Sequence, residues 1–189
     1  MALSDEPLRL LALAQGLPPV PPEEFDRYLD GAAACFARHG IGRTSVPDIA
    51  RELGLSRTTV YRQIGTVDGA ARLLLARELH RLLVQLPTTL EGATGPETVT
   101  RLLAAVIRFA WQHPVLAKVL TDEPELVVPF VTADFPELAA RVSAIAAPLL
   151  EQAMTARLIQ ARDPVQLAEF LVRITISLVL APHAKGLET

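Results

Sequence analysis

Arg57, Thr58, Thr59, Tyr61 and Arg62 fall within one six-residue run, RTTVYR, interrupted only by Val60. They are cations, hydroxyls and hydrogen-bond donors, and their chemistry is that of recognition. A guanidinium can donate to two acceptors on a guanine edge at once, and a threonine methyl can meet a thymine methyl. Hydroxyl and cationic groups suit phosphate oxygens, which position a partner without reading it. Bond-breaking chemistry has no comparable support. His39, His80, His113 and His183 are scattered without HExxH or other metal-ligand spacing, and there is neither a Gly-rich phosphate loop nor a Ser, Cys or Lys in a nucleophile motif. The chain is therefore read as a non-enzyme with no cofactor and no metal.

Such groups act together only if a rigid element presents them on one face. Thr44 to Ile64, TSVPDIARELGLSRTTVYRQI, reads as two short helices joined by a tight turn. Ser45 is placed to cap the first, with Asp48 three residues on as in a capping box. Pro47 sits in the first turn, where no intrahelical N–H partner is lost. Val46, Ile49 and Leu53 share one face, and Gly54 stands where a left-handed residue would end the helix. Leu55 plugs the turn. Ser56 caps the second helix, whose Val60 and Ile64 face inward and leave the polar run outside. Small Ala50 at the crossing permits close approach. Two helices crossing at a Gly-containing turn, with an outer face of Arg, Thr and Tyr, form the pattern of a helix-turn-helix. Upstream, Phe25, Leu29, Ala32 and Phe36 recur at helical spacing within Pro22 to His39, and Gly40 ends that bracing helix.

Half of the 189 residues are apolar, enough for a sizeable core, and the formal net charge is −3. Between Gly40 and Gly65, Arg43, Arg51, Arg57 and Arg62 stand against Asp48 and Glu52, a local balance of +2 on an acidic chain. The one cysteine, Cys35, lies in an apolar helical pattern and reads as a buried core residue in a reducing, cytoplasmic setting. No signal peptide is read at the N-terminus. The most apolar stretch, Leu167 to Pro182, carries Glu169 and Arg173 and is too short to span a bilayer comfortably, so no membrane partner is expected.

Residues 1–21 form an N-terminal extension ending in GLPPVPP. Beyond the helix-turn-helix, a helix opens near Asp68, its candidate cap, and runs to Pro87; Thr88 to Pro96 reads as a loop. Val99 to Gln112 and Val115 to Thr121 are helices separated by His113-Pro114, and a Pro-interrupted stretch covers Asp122 to Pro136. Glu137 to Leu158 is a long helix carrying Pro148, and Asp163 caps a last helix that opens on Pro164 and runs to about Ala181. With no strand-like alternation anywhere, the fold class is all-α. Apolar residues cover most of the circumference of both last helices, which calls for burial against a two-fold partner. Leu149, Phe170, Leu171, Arg173, Ile174 and Leu178 are the candidate homodimer interface. Arg108, Phe109, Trp111, His113, Phe130 and Met154 are candidate pocket residues for a small lipophilic effector, being apolar walls with a few polar groups.

The segment FARHGIGRTSVPDIARELGLSRTTVYRQIGTVDGAARLLL, within Phe25 to Leu86, resembles the DNA-binding head of TetR-type transcriptional regulators. The matching features are Phe36, Gly40, Thr44-Ser45, Asp48-Ile49-Ala50, Gly54, Ser56-Arg57, Tyr61 and Asp68. The resemblance implies a helix-turn-helix domain over 22–67 and a ligand-binding, dimerising body over 68–189. The reading that follows is a ligand-responsive dimeric repressor of a roughly palindromic double-stranded DNA operator, in which a small molecule in the body would shift the spacing of the two heads. Arg57, Thr58 and Thr59 would then meet base edges, and Tyr61, Thr44 and Arg62 phosphates, with Ser45 and Ser56 beside them. Two positions depart from the family pattern. Gln63-Ile64 stands where an aromatic pair is usual, and Val67 where a phosphate-contacting Lys is frequent. A dimeric helical ligand-binding or interaction protein whose helix-turn-helix no longer binds DNA therefore stays open beside the regulator.

Overall fold

The computed structural model describes residues 19–180 apart from 91, 93 and 94. The N-terminal extension up to residue 18, His183 and the side chains of Phe130 and Leu149 lie outside the described residues. After a 3-10 turn at Glu23–Phe25 the chain forms α1 (Asp26–His39), α2 (Val46–Leu53), α3 (Arg57–Ile64), α4 (Val67–Leu90), α5 (Pro96–Gln112) and α6 (Pro114–Asp122). α7 (Pro124–Pro129) leads through a π-helical turn at Phe130–Asp134 into α8 (Phe135–Thr155), and α9 (Pro164–Leu180) follows. Among the described residues there is no strand, as the all-α reading requires.

Local chemistry explains these boundaries. Asp48 accepts from both the Ser45 backbone N–H and its hydroxyl, fixing the start of α2. α2 ends on Gly54 at φ 65°, ψ 33°, in the left-handed region. The Leu55 N–H reaches the Ala50 carbonyl at 2.9 Å and the Gly54 N–H the Arg51 carbonyl at 3.2 Å, the paired closure of a Schellman motif. Ser56 Oγ then accepts from the Thr59 N–H at 3.1 Å and caps α3.

Several boundaries differ from the sequence reading, among them the start of α1 at Asp26 rather than Pro22 and of α5 at Pro96 rather than Val99, and three others have a visible cause. The residue that caps α4 is Thr66, whose hydroxyl accepts from the Gly69 N–H at 3.1 Å; Asp68 lies two residues further on, in the first turn. α4 continues past Pro87 to Leu90, because a proline removes one intrahelical bond without forbidding those that follow. α8 stops at Thr155 rather than Leu158, closed by Arg157 and Leu158 N–H bonds back to Met154 and Ala153.

The N-terminal core gathers Leu29, Ala32, Cys35 and Phe36 of α1, Ile49 and Ala50 of α2 and Val60 and Ile64 of α3. It does not stop at residue 67: Ala70 and Leu74 of α4 and Val115 of α6 are buried in the same cluster. Cys35 is buried there, and burial raises its thiol pKa, leaving it the inert core residue expected. Charge also stitches α1 to α4. Arg77, buried, bonds Asp26 at 3.2 Å, Asp30 at 2.9 Å and the adjacent buried Glu78 at 3.0 Å. Glu78 in turn meets Arg81 at 2.9 Å and lies 3.6 Å from His113 Nε2. His113 closes the junction of α5 and α6: its Nδ1 accepts from the Leu116 N–H at 3.4 Å and caps α6. Burial holds the His113 pKa below its ordinary value, against the opposing pull of Glu78.

Two outcomes follow. No atom crowds the position a Cβ would take at Gly54, so Gly54→Ala carries only the cost of a left-handed L-residue. It should lower unfolding free energy by about 1–2 kcal/mol in urea denaturation. His113 takes up its proton in the unfolded chain before the folded one. Stability contributed by its neutral form is therefore complete above pH of about 6.5 and is lost as pH falls from there toward its depressed folded pKa. The unfolding free energy from denaturation should fall across that window by no more than about 1.4 kcal/mol per pH unit for this group. His113→Asn, which keeps a cap acceptor but does not titrate, should flatten the profile.

Candidate nucleic-acid interface and ligand cavity

α3 is held from below and free above. Val60 and Ile64 are buried against α1 and α2, while Arg57, Thr58 and Arg62 are exposed and Tyr61 keeps 60% of its surface open. Arg57, Tyr61 and Arg62 have no hydrogen bond or ion pair among the described residues. Thr59 is only half exposed, and its hydroxyl lies 2.8 Å from Ser56 Oγ, within the cap. That contact leaves Arg57 and Thr58 as the free groups of the first turn.

Thr44 departs from its expected phosphate role. It is buried, and its hydroxyl donates to the Gly40 carbonyl at 2.6 Å, closing the turn between α1 and α2. Ser45 is exposed, but its hydroxyl is given to Asp48. Arg43, which sequence reasoning counted only in the charge balance, is exposed on the same turn and anchored by Nε on the His39 carbonyl at 2.9 Å.

The local charge is more one-sided than its sum. Asp48 pairs with Arg51 at 3.0 Å and Glu52 with Arg38 at 3.0 Å. Hydrogen bonds from Ser45 hold the Asp48 carboxyl below its usual range, and the bond from Arg38 does the same for Glu52. Both acids thus stay ionised and matched, and the charges of Arg43, Arg57 and Arg62 face solvent unopposed by them. Val67 packs partly against the N-terminal core rather than standing clear of it.

A cavity of about 380 Å³ opens between α4, α5 and α6, lined by Leu82, Gln85, Thr89, Arg108, Phe109 and His113 among others. Three of the candidate pocket residues, Arg108, Phe109 and His113, are brought together there, with the His113 ring 5.8 Å from Phe109. Two are not. Trp111 is half-buried and lines neither this cavity nor the larger groove. Met154 packs with Ala147, Leu150 and Ala168 between α8 and α9, because its register on α8 points at α9. The wall from α4 was missed, although Leu82, Gln85 and Thr89 recur at helical spacing and could have been read as one face.

The larger groove, about 560 Å³, runs between α8 and α9 and is lined by Ala139, Ser143, Ala147, Pro148, Val165 and Arg173 among others. Of the candidate interface residues, Phe170 is 58% exposed and Ile174 and Leu178 are half-buried. Leu171 packs inward against α8, and Arg173 bonds Glu169 along its own helix at 2.9 and 2.6 Å. Among the described residues no group of His, Cys, Asp and Glu is placed to hold a metal, and no helix is long and apolar enough to cross a membrane.

Comparison with known proteins agrees with this geometry. Residues 29–63, which span α3 and its support, match the family of bacterial regulatory proteins described as the tetR family. An uncharacterised HTH-type transcriptional regulator of Mycobacterium bovis is 29% identical over 104 residues, covering 51% of this chain and 54% of that one. A Mycobacterium tuberculosis regulator of the same description matches to the same extent. The chain therefore spans about half the length of the curated relatives it matches. Among solved structures, a TetR/AcrR family regulator of Thermobifida fusca superposes with a TM-score of 0.62 at 16% identity, over 87% of this chain and 88% of that one. The fatty acid degradation regulator FadR from Bacillus halodurans gives 0.64 at 17% identity, over 85% and 84%. Those two likenesses establish the shared all-α architecture, a helix-turn-helix followed by a helical body. The N-terminal residues thus match the tetR family over 29–63, and the two superpositions show that the whole described chain shares the fold of such regulators.

Proposed function

We propose that this chain is a dimeric, ligand-responsive transcriptional regulator, acting as a repressor, that lays α3 into the major groove at each half of a roughly palindromic operator. Residues 22–67 serve as its DNA-reading head and 68–189 as its ligand-binding and dimerising body. The observation that carries the reading is the outer face of α3: Arg57, Thr58, Tyr61 and Arg62 are exposed, and both acidic residues near them are already matched. Arg57 and Thr58, at the start of the helix, take base edges, while Tyr61, Arg62 and Arg43 take phosphates.

The effector occupies the cavity above His113. Leu82 and Phe109 supply apolar contact, while Arg108, Gln85 and Gln112 select a polar end. A lipophilic molecule with a polar or anionic head suits this lining, and the FadR neighbour is named for fatty acid degradation. Such a ligand alters DNA binding only by its different affinity for the two states of the protein. α8 and α9 supply the dimer contact, for which the exposed Phe170 and the apolar groove beside it give the support.

The base-reading claim is checked with Arg57→Ala on the operator duplex that the wild type selects and on single-base variants of it. The mutant is expected to lose about 1–3 kcal/mol per half-site and its discrimination at one position. A uniform loss with discrimination intact would make Arg57 a phosphate contact and pass the reading to Thr58. For the dimer, Phe170→Glu is expected to give monomers in sedimentation while leaving helix content unchanged, because Phe170 is mostly exposed within one protomer. An unchanged dimer would move the interface elsewhere.

A further inference from the structure

Glu123 is the residue that the function does not yet use. It follows the last residue of α6 and is only 3% exposed, unusual for a carboxylate outside an ion pair. Among the described residues no cation forms an ion pair with it. Its two oxygens each accept one backbone N–H, Oε2 from Ile41 at 2.7 Å and Oε1 from Gly42 at 2.8 Å. Both donors lie on the turn between α1 and α2, more than eighty residues away along the chain.

The turn is shaped to admit this carboxylate. A Cβ at Gly40 would stand 2.6 Å from the Glu123 carboxyl, and one at Gly42 3.1 Å from Oε1. Gly40 also takes φ 88°, a backbone that L-residues rarely adopt. Two consecutive amides aimed at one carboxylate fix an orientation as well as a distance, and charge-assisted bonds of this kind are the stronger sort. The clasp closes the turn that leads into α2 and α3. α6 carries it, with Val115 buried in the N-terminal core and His113 at the far end of the helix, on the wall of the ligand cavity.

We propose that Glu123 is a positioning residue for DNA binding: its grip on Ile41 and Gly42 sets the angle of the α1–α3 unit against the body, and so the separation of half-sites that a dimer accepts. This rests on the regulator reading proposed above. Losing the clasp leaves α3 itself untouched, so half-site recognition persists while preference among spacings is lost.

The test uses the full chain and duplexes that carry the same two half-sites at separations varied one base pair at a time, together with a duplex bearing a single half-site. Wild type is expected to prefer one separation. Glu123→Ala should reduce that preference about fivefold or more, within the usual range of coupling between sites, while affinity for the single half-site changes by less than about twofold. Glu123→Gln, whose amide oxygen can accept only one of the two N–H groups, should fall between. Without DNA, the Ile41 and Gly42 amides should exchange with deuterium faster in Glu123→Ala. Should that variant lose its helical fold, Gly42→Ala replaces it. The added methyl crowds Oε1 from the other side and leaves the body intact, so it must shift the spacing profile. A Glu123→Ala protein that folds and keeps the wild-type spacing preference would overturn the inference and leave the regulator reading standing. A wild type that binds no duplex with preference would overturn that reading and the inference together, so the wild-type profile separates the two failures.

Discussion

The architecture depends on the capture of one face of α3. Val60 and Ile64 are withdrawn from water beneath the helix, against Leu29, Phe36, Ile49 and Ala50. At about 1.5–3 kcal/mol for each large apolar side chain, that burial far exceeds what an eight-residue helix could supply by itself. Because the inner face is fixed, the angle at which the outer face meets a partner is fixed with it. The left-handed Gly54 and the Ser56 cap then set where that helix begins, and the free cations follow from its register.

The same logic joins this unit to the rest of the chain. Three contacts of different kinds converge on α1 and its following turn. Val115 enters the N-terminal core, Arg77 bonds Asp26 and Asp30, and Glu123 holds the amides of Ile41 and Gly42. Two of the three are charged groups that water cannot easily rescue. Removing one partner of a buried charge leaves the other unpaired, a costly state. The attachment between the two units is therefore specific in geometry. It also lies near the cavity between α4, α5 and α6, since Glu78 bonds Arg77 on one side and faces His113 on the other. The cavity wall and the support of α1 thus share neighbouring charged groups.

Much of this was legible in the sequence where the signal is local. The capping box at Ser45, the turn at Gly54, the Ser56 cap and the inward face of α3 each depend on residues within four positions of one another, and each appears as read. What was not legible depends on distance. Thr44 looks like a surface hydroxyl until the chain folds back and presents the Gly40 carbonyl. Met154 and Arg108 are both plausible cavity residues by type, and only the packing of α8 against α9 separates them. Glu123 sits in a Pro-interrupted stretch that offers no periodicity, and its donors lie far upstream in the sequence. Pro87 shows the opposite error, a strong local breaker overruled because the rest of α4 remains packed.

The central claim is that the outer face of α3 reads duplex DNA. Selection of bound sequences from random duplex DNA by the purified full chain tests it most directly. Two α3 helices presented by a dimer should enrich a motif with two-fold symmetry whose two halves are separated by a fixed number of base pairs. Binding without any enriched sequence, across low and moderate salt, would contradict it and leave a helical ligand-binding protein in its place.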